Sequence, residues 1–179
     1  RTGEWKSKEF ERESLPKMFV VLDAQKEAYD HESKFELAVS TAASLLRFAK
    51  QNGLSYGLLT TGKNPSLFPP GEDRSMRKQM TYHLVTVACD GEQPIASVWQ
   101  ESFIKADCPL VMIISPVHPD RLDPLINKIR AENGTGFHLY IRSGQTAPRN
   151  DPKFNVTGKR TYMIDTLEQL THALGGRAR

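Results

Sequence analysis

The stretch that decides the fold is Met18-Phe19-Val20-Val21-Leu22-Asp23, a continuous apolar run that ends in a carboxylate. Apolar residues at successive positions predict a strand that is covered on both faces, as in parallel sheets with helices on either side. A second run of the same kind is Leu110-Val111-Met112-Ile113-Ile114-Ser115. Both runs end in a polar residue, so any functional site should be sought first near Asp23 and Ser115.

Helical patterns alternate with these strands. Ser33 and Glu36 are predicted to form an S-x-x-E capping box at the start of a long amphipathic helix, and Asn52-Gly53 ends it. The remaining predicted segments, in chain order, are a strand at 56–60, an edge strand near 66–68, a helix from Glu72-Asp73 to Gly91, a helix from Pro94 to Phe103, a helix opening at Pro119, strands at 137–141 and 161–164, and a last helix capped by Asp165 or Thr166 and continuing through Leu174. This alternation predicts a Rossmann-like α/β fold: a doubly wound, mostly parallel sheet with one antiparallel edge strand and helices on both faces.

Composition narrows the class of protein. The 179 residues suit one domain, and 39% hydrophobic with 25% charged residues is ordinary for a globular chain. The net charge is +3 and no block of like charge occurs, which argues against nucleic acid or a membrane surface as the partner. The two cysteines, Cys89 and Cys108, have no zinc-site spacing and are predicted to be reduced thiols.

In a doubly wound sheet, ligands bind in the crevice at the carboxyl ends of the strands, where the strand order reverses. The turn that follows the first strand, residues 23–28, contains no glycine, so a dinucleotide site is excluded there. No P-loop occurs in the chain, and no G-x-S-x-G elbow presents a nucleophilic serine. One enzymatic alternative stays open: a small α/β hydrolase or phosphoryl-transfer enzyme that uses Asp23, Glu27 and His118 in this crevice.

Several short segments together resemble one bacterial family, domain of unknown function 58, whose C-terminal half is a von Willebrand factor A-like domain. The similar segments span residues 1 to 142 and are Arg1-Thr2-Gly3, Lys8-Glu9-Phe10-Glu11-Arg12-Glu13, Leu22-Asp23, Lys34-Phe35-Glu36-Leu37-Ala38 with Ala42-Ala43-Ser44-Leu45, Gly57-Leu58-Leu59-Thr60 and Phe68-Pro69-Pro70-Gly71. The lead-in before the first strand is the specific part of the combination, since the strands alone are generic.

The resemblance implies a context for the chain. Parent proteins of this family carry membrane helices ahead of the domain, and they are associated with MoxR-type AAA+ ATPases in the assembly or maturation of other complexes. The chain begins Arg1-Thr2-Gly3 without Met, so we expect a piece of a longer protein located at the cytoplasmic face of the bacterial membrane. Residues 1–17 are then a lead-in, 18–174 the domain and 175–179 a tail, and this part itself is expected to be soluble, without direct membrane contact.

Related domains hold a divalent ion in a D-x-S-x-S motif, helped by a threonine and an aspartate on later loops. Here Asp23 keeps the first position, but Gln25 and Glu27 stand at the serine positions, and residues 115–118 contain no aspartate. The resemblance therefore implies a degenerate metal-ion-dependent adhesion site (MIDAS) in which Asp23 is the remaining metal ligand. We expect no cofactor, with Mg²⁺ or Mn²⁺ as the alternative.

The predicted function is that of a non-catalytic module that binds or scaffolds a protein partner. Its predicted binding residues, at the strand ends, are Asp23, Gln25, Glu27, Ser115 and His118. Trp99 is predicted to lie in the core, His118 in a loop or helix cap, and His138 in a strand. From residue 161 onward two arrangements stay open, a last strand and helix of the sheet or a tail ordered in the parent protein, and the oligomeric state is open as well.

Overall fold

Strands and helices alternate along the chain in the computed structural model, which describes residues 16–102, 110–142 and 160–173. The strands are β1 (Lys17–Leu22), β2 (Ser55–Thr60), β3 (Ser66–Gly71), β4 (Leu110–Ser115), β5 (Thr135–Ile141) and β6 (Thr161–Ile164). The helices are α1 (Glu32–Gln51), α2 (Arg74–Thr86), α3 (Ile95–Glu101), α4 (Pro119–Ala131) and α5 (Leu167–Ala173), and a single 3₁₀ turn covers Lys26–Ala28.

The six strands form one sheet in the order β3-β2-β1-β4-β5-β6. Neighbouring strands are parallel, except that β3 pairs antiparallel with β2 at one edge. From β1 the chain first builds outward through β2 and β3, and then returns to build β4, β5 and β6 on the other side. The strand order therefore reverses between β1 and β4, and the predicted doubly wound fold class is confirmed.

Two apolar cores lie on opposite faces of the sheet. On one face, α1, α2 and α5 contribute residues such as Leu45, Met80 and Leu170 to a core with alternate residues of the strands. On the other face, α3 and α4 pack against Phe19, Val21 and the alternate positions of β4. Because both faces are covered, β1 is apolar at every position from Met18 to Leu22 rather than at every second residue. Trp99 lies in the second core as predicted and meets the Phe19 ring edge-on at a centroid distance of 6.1 Å.

The edge strand is longer than the sequence predicts. It was expected near residues 66–68, but β3 continues through Pro69 and Pro70 to Gly71. Prolines lack the N–H that a central strand must donate, and an edge strand tolerates them because it pairs on one side only. Strand β2 approaches β3 closely at Gly57. A Cβ atom at this position would lie 2.6 Å from the carbonyl oxygen of Phe68 in β3 and 2.7 Å from the Phe19 ring.

Two predicted helix ends are wrong. The expected capping box of Ser33 and Glu36 does not form, because the chain is already extended at His31 and α1 begins at Glu32, which places Ser33 inside the first turn. The helix α2 ends at Thr86 and not at Gly91, because Val87 is extended. Val87 still packs against the first core. At the start of α2, the Asp73 side chain accepts a hydrogen bond from the Ser75 amide and caps the helix.

Residues 161–173 form a last strand and helix of the sheet, one of the two arrangements left open by the sequence. Strand β6 pairs in parallel with β5, and α5 packs against α1. Arg142, at the end of β5, donates two hydrogen bonds to the Asp165 carboxylate, at 3.0 and 2.7 Å. Such a two-point pair fixes the direction of the chain after β6.

Several predictions fall outside the described residues. They concern the lead-in up to residue 15, Phe103, Cys108, Leu174 and the tail at 175–179. Among the helices that are described, none has the length and hydropathy that a membrane span requires.

We predict that Gly57→Ala destabilises the domain by about 1–3 kcal/mol, because the new methyl group overlaps the backbone of β3 and the ring of Phe19. Gly71→Ala on the paired strand is the matched control, since the nearest atom to its Cβ is 3.9 Å away. Urea unfolding of both variants measures the difference. Equal stability of the two variants would contradict the close packing described at Gly57.

Candidate functional site

Asp23 directly follows β1 and lies at the point where the strand order reverses. Its amide donates a hydrogen bond to the carbonyl oxygen of Ile114 in β4 at 2.9 Å, so the parallel pairing of the two strands continues through it. This places Asp23 beside Ser115, the residue that ends β4. Both residues are 0% exposed, so the carboxylate lies within the protein and not on its surface.

Three donors bind the Asp23 carboxylate. The Ser115 hydroxyl donates to Oδ2 at 2.7 Å. The Gln25 amide donates to Oδ1 at 3.0 Å, and the Thr61 hydroxyl donates to the same oxygen at 3.2 Å. Burial raises the pKa of Asp23 above its ordinary value, and these three hydrogen bonds lower it in part because they favour the charged form.

The two hydroxyl groups are themselves held by backbone amides. The Ser115 oxygen accepts from the Val117 amide at 3.0 Å, and the Thr61 oxygen accepts from the Ala24 amide at 2.9 Å. Each hydroxyl oxygen therefore accepts a hydrogen bond from a backbone amide, and each hydroxyl donates its own hydrogen bond to Asp23. We use the name Asp23 cluster for Asp23, Thr61 and Ser115, which join the ends of β1, β2 and β4.

The segment that follows α2 closes over the turn after β1. The Gly91 amide donates to the Ala24 carbonyl oxygen at 2.9 Å, and the Lys26 amide donates to the Gly91 carbonyl oxygen at 2.9 Å. Gly91 is buried, and a Cβ at this position would overlap the Thr61 carbonyl oxygen and lie 2.9 Å from that of Ala24. Only glycine fits this approach, so Gly91 belongs to the site and does not end a helix.

Tyr29 and Cys89 complete the neighbourhood of the turn. The Tyr29 hydroxyl donates to the backbone carbonyl oxygen of Asp23 at 2.7 Å, and burial raises its pKa well above the ordinary value. The Cys89 thiol lies 3.7 Å from the Gln25 carbonyl oxygen. Burial, followed by the charges of Asp23 and Asp90, raises the pKa of Cys89 to about 11, so the thiol stays protonated at neutral pH and is a poor nucleophile.

The other predicted site residues do not reach the Asp23 cluster with their side chains. Gln25 contributes its backbone, through the amide bond to Asp23 and a bridge to Gly91. Glu27 is exposed in the 3₁₀ turn. His118 was predicted to lie in a loop or a helix cap, and it is the N-cap of α4. Its Nδ1 accepts a hydrogen bond from the Asp120 amide at 3.4 Å. The predicted binding residues therefore fall into two groups. Asp23 and Ser115 are buried, and Gln25, Glu27 and His118 form a more exposed rim around them.

His138 lies in the interior on β5 and supports the end of β4. Its Nε2 lies 3.1 Å from the Ser115 carbonyl oxygen, which can only accept, so Nε2 carries the proton. Burial lowers the pKa of His138 to about 4, and the ring is neutral at pH 7. Its Nδ1 is buried without a hydrogen-bond partner within the described part of the chain.

A bridging metal ion does not fit these residues. An ion shared with a partner needs an open coordination position, but Asp23 is 0% exposed and both of its oxygens already accept hydrogen bonds. Across residues 16–102, 110–142 and 160–173, no group of three or more His, Cys, Asp and Glu side chains could hold a metal ion.

Sequence reasoning found Asp23 and Ser115 but missed Thr61, Tyr29 and Gly91. A usable signal existed for Thr61, because it directly follows β2, and the carboxyl ends of parallel neighbours meet at one edge of the sheet. No comparable signal exists for Gly91. It was interpreted as a helix end, and its role depends on a backbone contact between segments that are distant in sequence.

Comparison with known families agrees with this architecture. The model of the family described as "Protein of unknown function DUF58" matches residues 1–106. The chain belongs to this family. A curated relative, the uncharacterized protein YeaD of Bacillus subtilis, is 31% identical over 105 residues, which are 59% of this chain and 25% of YeaD. The chain thus spans about a quarter of the length of that relative.

Solved structures share the fold at low identity. The VWA domain of SpRpn10 aligns with a TM-score of 0.56 and 11% identity, over 92% of this chain and 98% of its own. An aerotolerance-related membrane protein from Bacteroides fragilis aligns with a TM-score of 0.55 and 13% identity, over 89% and 96%. Proximal thread matrix protein 1 from the mussel byssus, with a zinc-occupied MIDAS motif, gives 0.55 and 13%, over 90% and 46%. The family and the von Willebrand factor A-like, Rossmann-like fold are confirmed.

We predict that Asp23→Ala lowers the free energy of unfolding by about 2–4 kcal/mol, because it leaves the Ser115 and Thr61 hydroxyls and the Gln25 amide without their buried acceptor. Glu27→Ala, two positions beyond Gln25 and exposed, should change it by less than about 0.5 kcal/mol. Urea unfolding followed by circular dichroism measures both. Similar losses in the two variants would contradict the structural role of Asp23.

Proposed function

We propose that this domain is a non-catalytic protein-interaction module that binds its partner through the strand-end loops without a bridging metal ion. One observation carries the proposal: the Asp23 carboxylate, which would be the anchor of a metal site, is buried and its oxygens accept three hydrogen bonds from the protein itself. In this arrangement the carboxylate holds the loops in place, and the loops present the binding surface.

The residues that replace the serines of the metal motif support a degenerate site. Gln25 acts through its backbone, and the Glu27 side chain is exposed outside the Asp23 cluster. Serine hydroxyls in these two positions would be short enough to share an ion with Asp23. The longer side chains of Gln25 and Glu27 favour a rim that meets a partner directly.

The enzymatic alternative lacks a converging set of groups. Glu27 and His118 are both exposed, while Asp23 is buried. A cleft beside the turn is lined by other residues and includes none of these three. General acid–base catalysis requires donors and acceptors that can reach one reacting atom, so this geometry favours a binding role.

For the partner, we propose a MoxR-type AAA+ ATPase. The family membership of the chain supports this choice, through the association that the resemblance implies. The proposed contact surface is the rim formed by half-buried Gln25 and by exposed Glu27 and His118, around the turn after β1 and the start of α4. Asp23 and Ser115 act within this surface by positioning the loops.

We predict that titration with Mg²⁺ or Mn²⁺ produces no saturable heat and no saturable shift of the amide resonances of residues 23–28. The reason is that an ion would have to displace three buried hydrogen bonds of Asp23. Isothermal titration and two-dimensional NMR test this. Saturable binding in the wild type that disappears in Asp23→Asn would overturn the proposal of a metal-free site.

We predict that the double variant Glu27→Ala/His118→Ala weakens binding of a purified MoxR-type ATPase from the source organism by about tenfold and lowers the melting temperature only slightly, since His118 caps α4 through a long bond of 3.4 Å from the Asp120 amide. Both side chains are exposed at the carboxyl ends of the strands, so their loss removes contacts with the partner but leaves the core intact.

The matched control is Glu132→Ala. Helix α4 starts near the carboxyl end of β4 and ends just before the amino end of β5. Glu132 therefore lies near the amino ends of the strands, away from the proposed rim. Surface plasmon resonance should give wild-type affinity for this variant. If the wild-type domain does not bind the ATPase at all, the choice of partner is wrong; if the rim variant binds as the wild type does, the choice of surface is wrong.

A further inference from the structure

A cleft of about 460 Å³ opens beside the Asp23 cluster. Its walls come from three segments: the turn after β1, the first turns of α1 and the residues that follow α2. The apolar part of the lining includes Tyr29, Phe35 and Val87. The rings of Tyr29 and Phe35 are nearly perpendicular, at 82°, with their centroids 5.2 Å apart. The Tyr29 hydroxyl is fixed on the Asp23 carbonyl oxygen, so the turn that carries Asp23 also sets the shape of the cleft.

The charges that line the cleft are mainly negative. Three carboxylates, those of Asp30, Glu32 and Glu36, line the cleft together with the Lys26 ammonium group and the His31 imidazole. Asp30 is already paired with Lys34 at 3.0 Å, and this pairing lowers the pKa of Asp30. Glu32 and Glu36 have no ion pair within the part of the chain that the structure describes.

The spacing of Glu32 and Glu36 is unfavourable for the isolated helix. They stand four residues apart on α1, where like charges repel one another. The helix macrodipole stabilises Glu32 in the first turn, but its effect fades before Glu36. The repulsion is small because both side chains are exposed, and a cation placed between the two carboxylates would remove it.

We propose that the cleft binds an arginine side chain of the protein partner. This inference rests on the proposed interaction function and names the chemistry that the partner presents. The guanidinium group pairs with the carboxylates of Glu32 and Glu36, and its stem packs against the rings of Tyr29 and Phe35. Arginine fits better than lysine because its planar group binds carboxylates at two points and stacks on aromatic rings.

The test uses NMR titration of the 179-residue chain with three short blocked peptides that differ at one position: arginine, citrulline or glutamate. Citrulline keeps the shape of arginine and removes its charge. We expect the arginine peptide to shift the amide resonances of residues 29–36 and 87–89 saturably, and less so at high salt, since exposed charges are screened. We expect no saturable shift with the other two peptides.

The matched variants are Glu32→Gln/Glu36→Gln, which remove the two cleft carboxylates that have no ion pair in the described part of the chain, and Glu132→Gln, which removes one carboxylate near the amino ends of the strands. The first should weaken binding of the arginine peptide about three- to tenfold, and the second should leave it unchanged. Equal binding of the arginine and citrulline peptides, preferential binding of the glutamate peptide, or full binding by the double variant would each overturn the inference.

Measurement with the partner itself separates this inference from the proposed function. If Glu32→Gln/Glu36→Gln leaves the affinity for the ATPase unchanged while Glu27→Ala/His118→Ala lowers it, the arginine cleft is wrong and the interaction function stands. If neither variant changes an affinity that is measurable in the wild type, binding does not use the strand-end loops, and both proposals fail.

Discussion

The Asp23 carboxylate accepts hydrogen bonds from Ser115, Thr61 and the Gln25 amide although no part of the residue is exposed. A buried charge is costly unless donors surround it, and each of these donors comes from a different segment of the chain. The carboxylate thus ties the ends of β1, β2 and β4 together at the place where the strand order reverses. Loss of the Ser115 bond would leave the buried Oδ2 of Asp23 without its donor.

The same carboxylate explains why the loops around it can be irregular. Backbone amides of the turn after β1 find their hydrogen-bond acceptors outside regular secondary structure. These acceptors are Asp23, Thr61 and the carbonyl oxygen of Gly91. In related metal-binding domains an ion fulfils such an organising role. Here hydroxyl groups that donate to the carboxylate hold the ends of β1, β2 and β4 in the arrangement described, and under the proposed function they take the place of the ion.

The fold could be predicted from the sequence because apolar runs and helical periodicity are local signals, and Asp23 and Ser115 were found because strand ends are recognisable. Two helix ends were predicted wrongly because the backbone conformation, and not the residue type, sets them. His31 is the N-cap of α1 in place of Ser33, and α2 ends at Thr86. The role of Gly91 could not be predicted, since it depends on contacts with Ala24 and Lys26, far away in the sequence. Burial of Asp23 likewise depends on the whole assembled edge of the sheet.

The Asp23 cluster and the acidic cleft are structurally connected, because Tyr29 contacts the first and lines the second. Its hydroxyl is bonded to the Asp23 backbone, while its ring packs against Phe35 in the lining of the cleft. A rearrangement of the turn would therefore move the ring and change the cleft. In a metal-dependent domain the partner supplies a carboxylate to an ion. If hydrogen bonds replace the ion, as proposed, the carboxylates of Glu32 and Glu36 in the nearby lining would give this site the opposite electrostatic preference, for a cationic partner group.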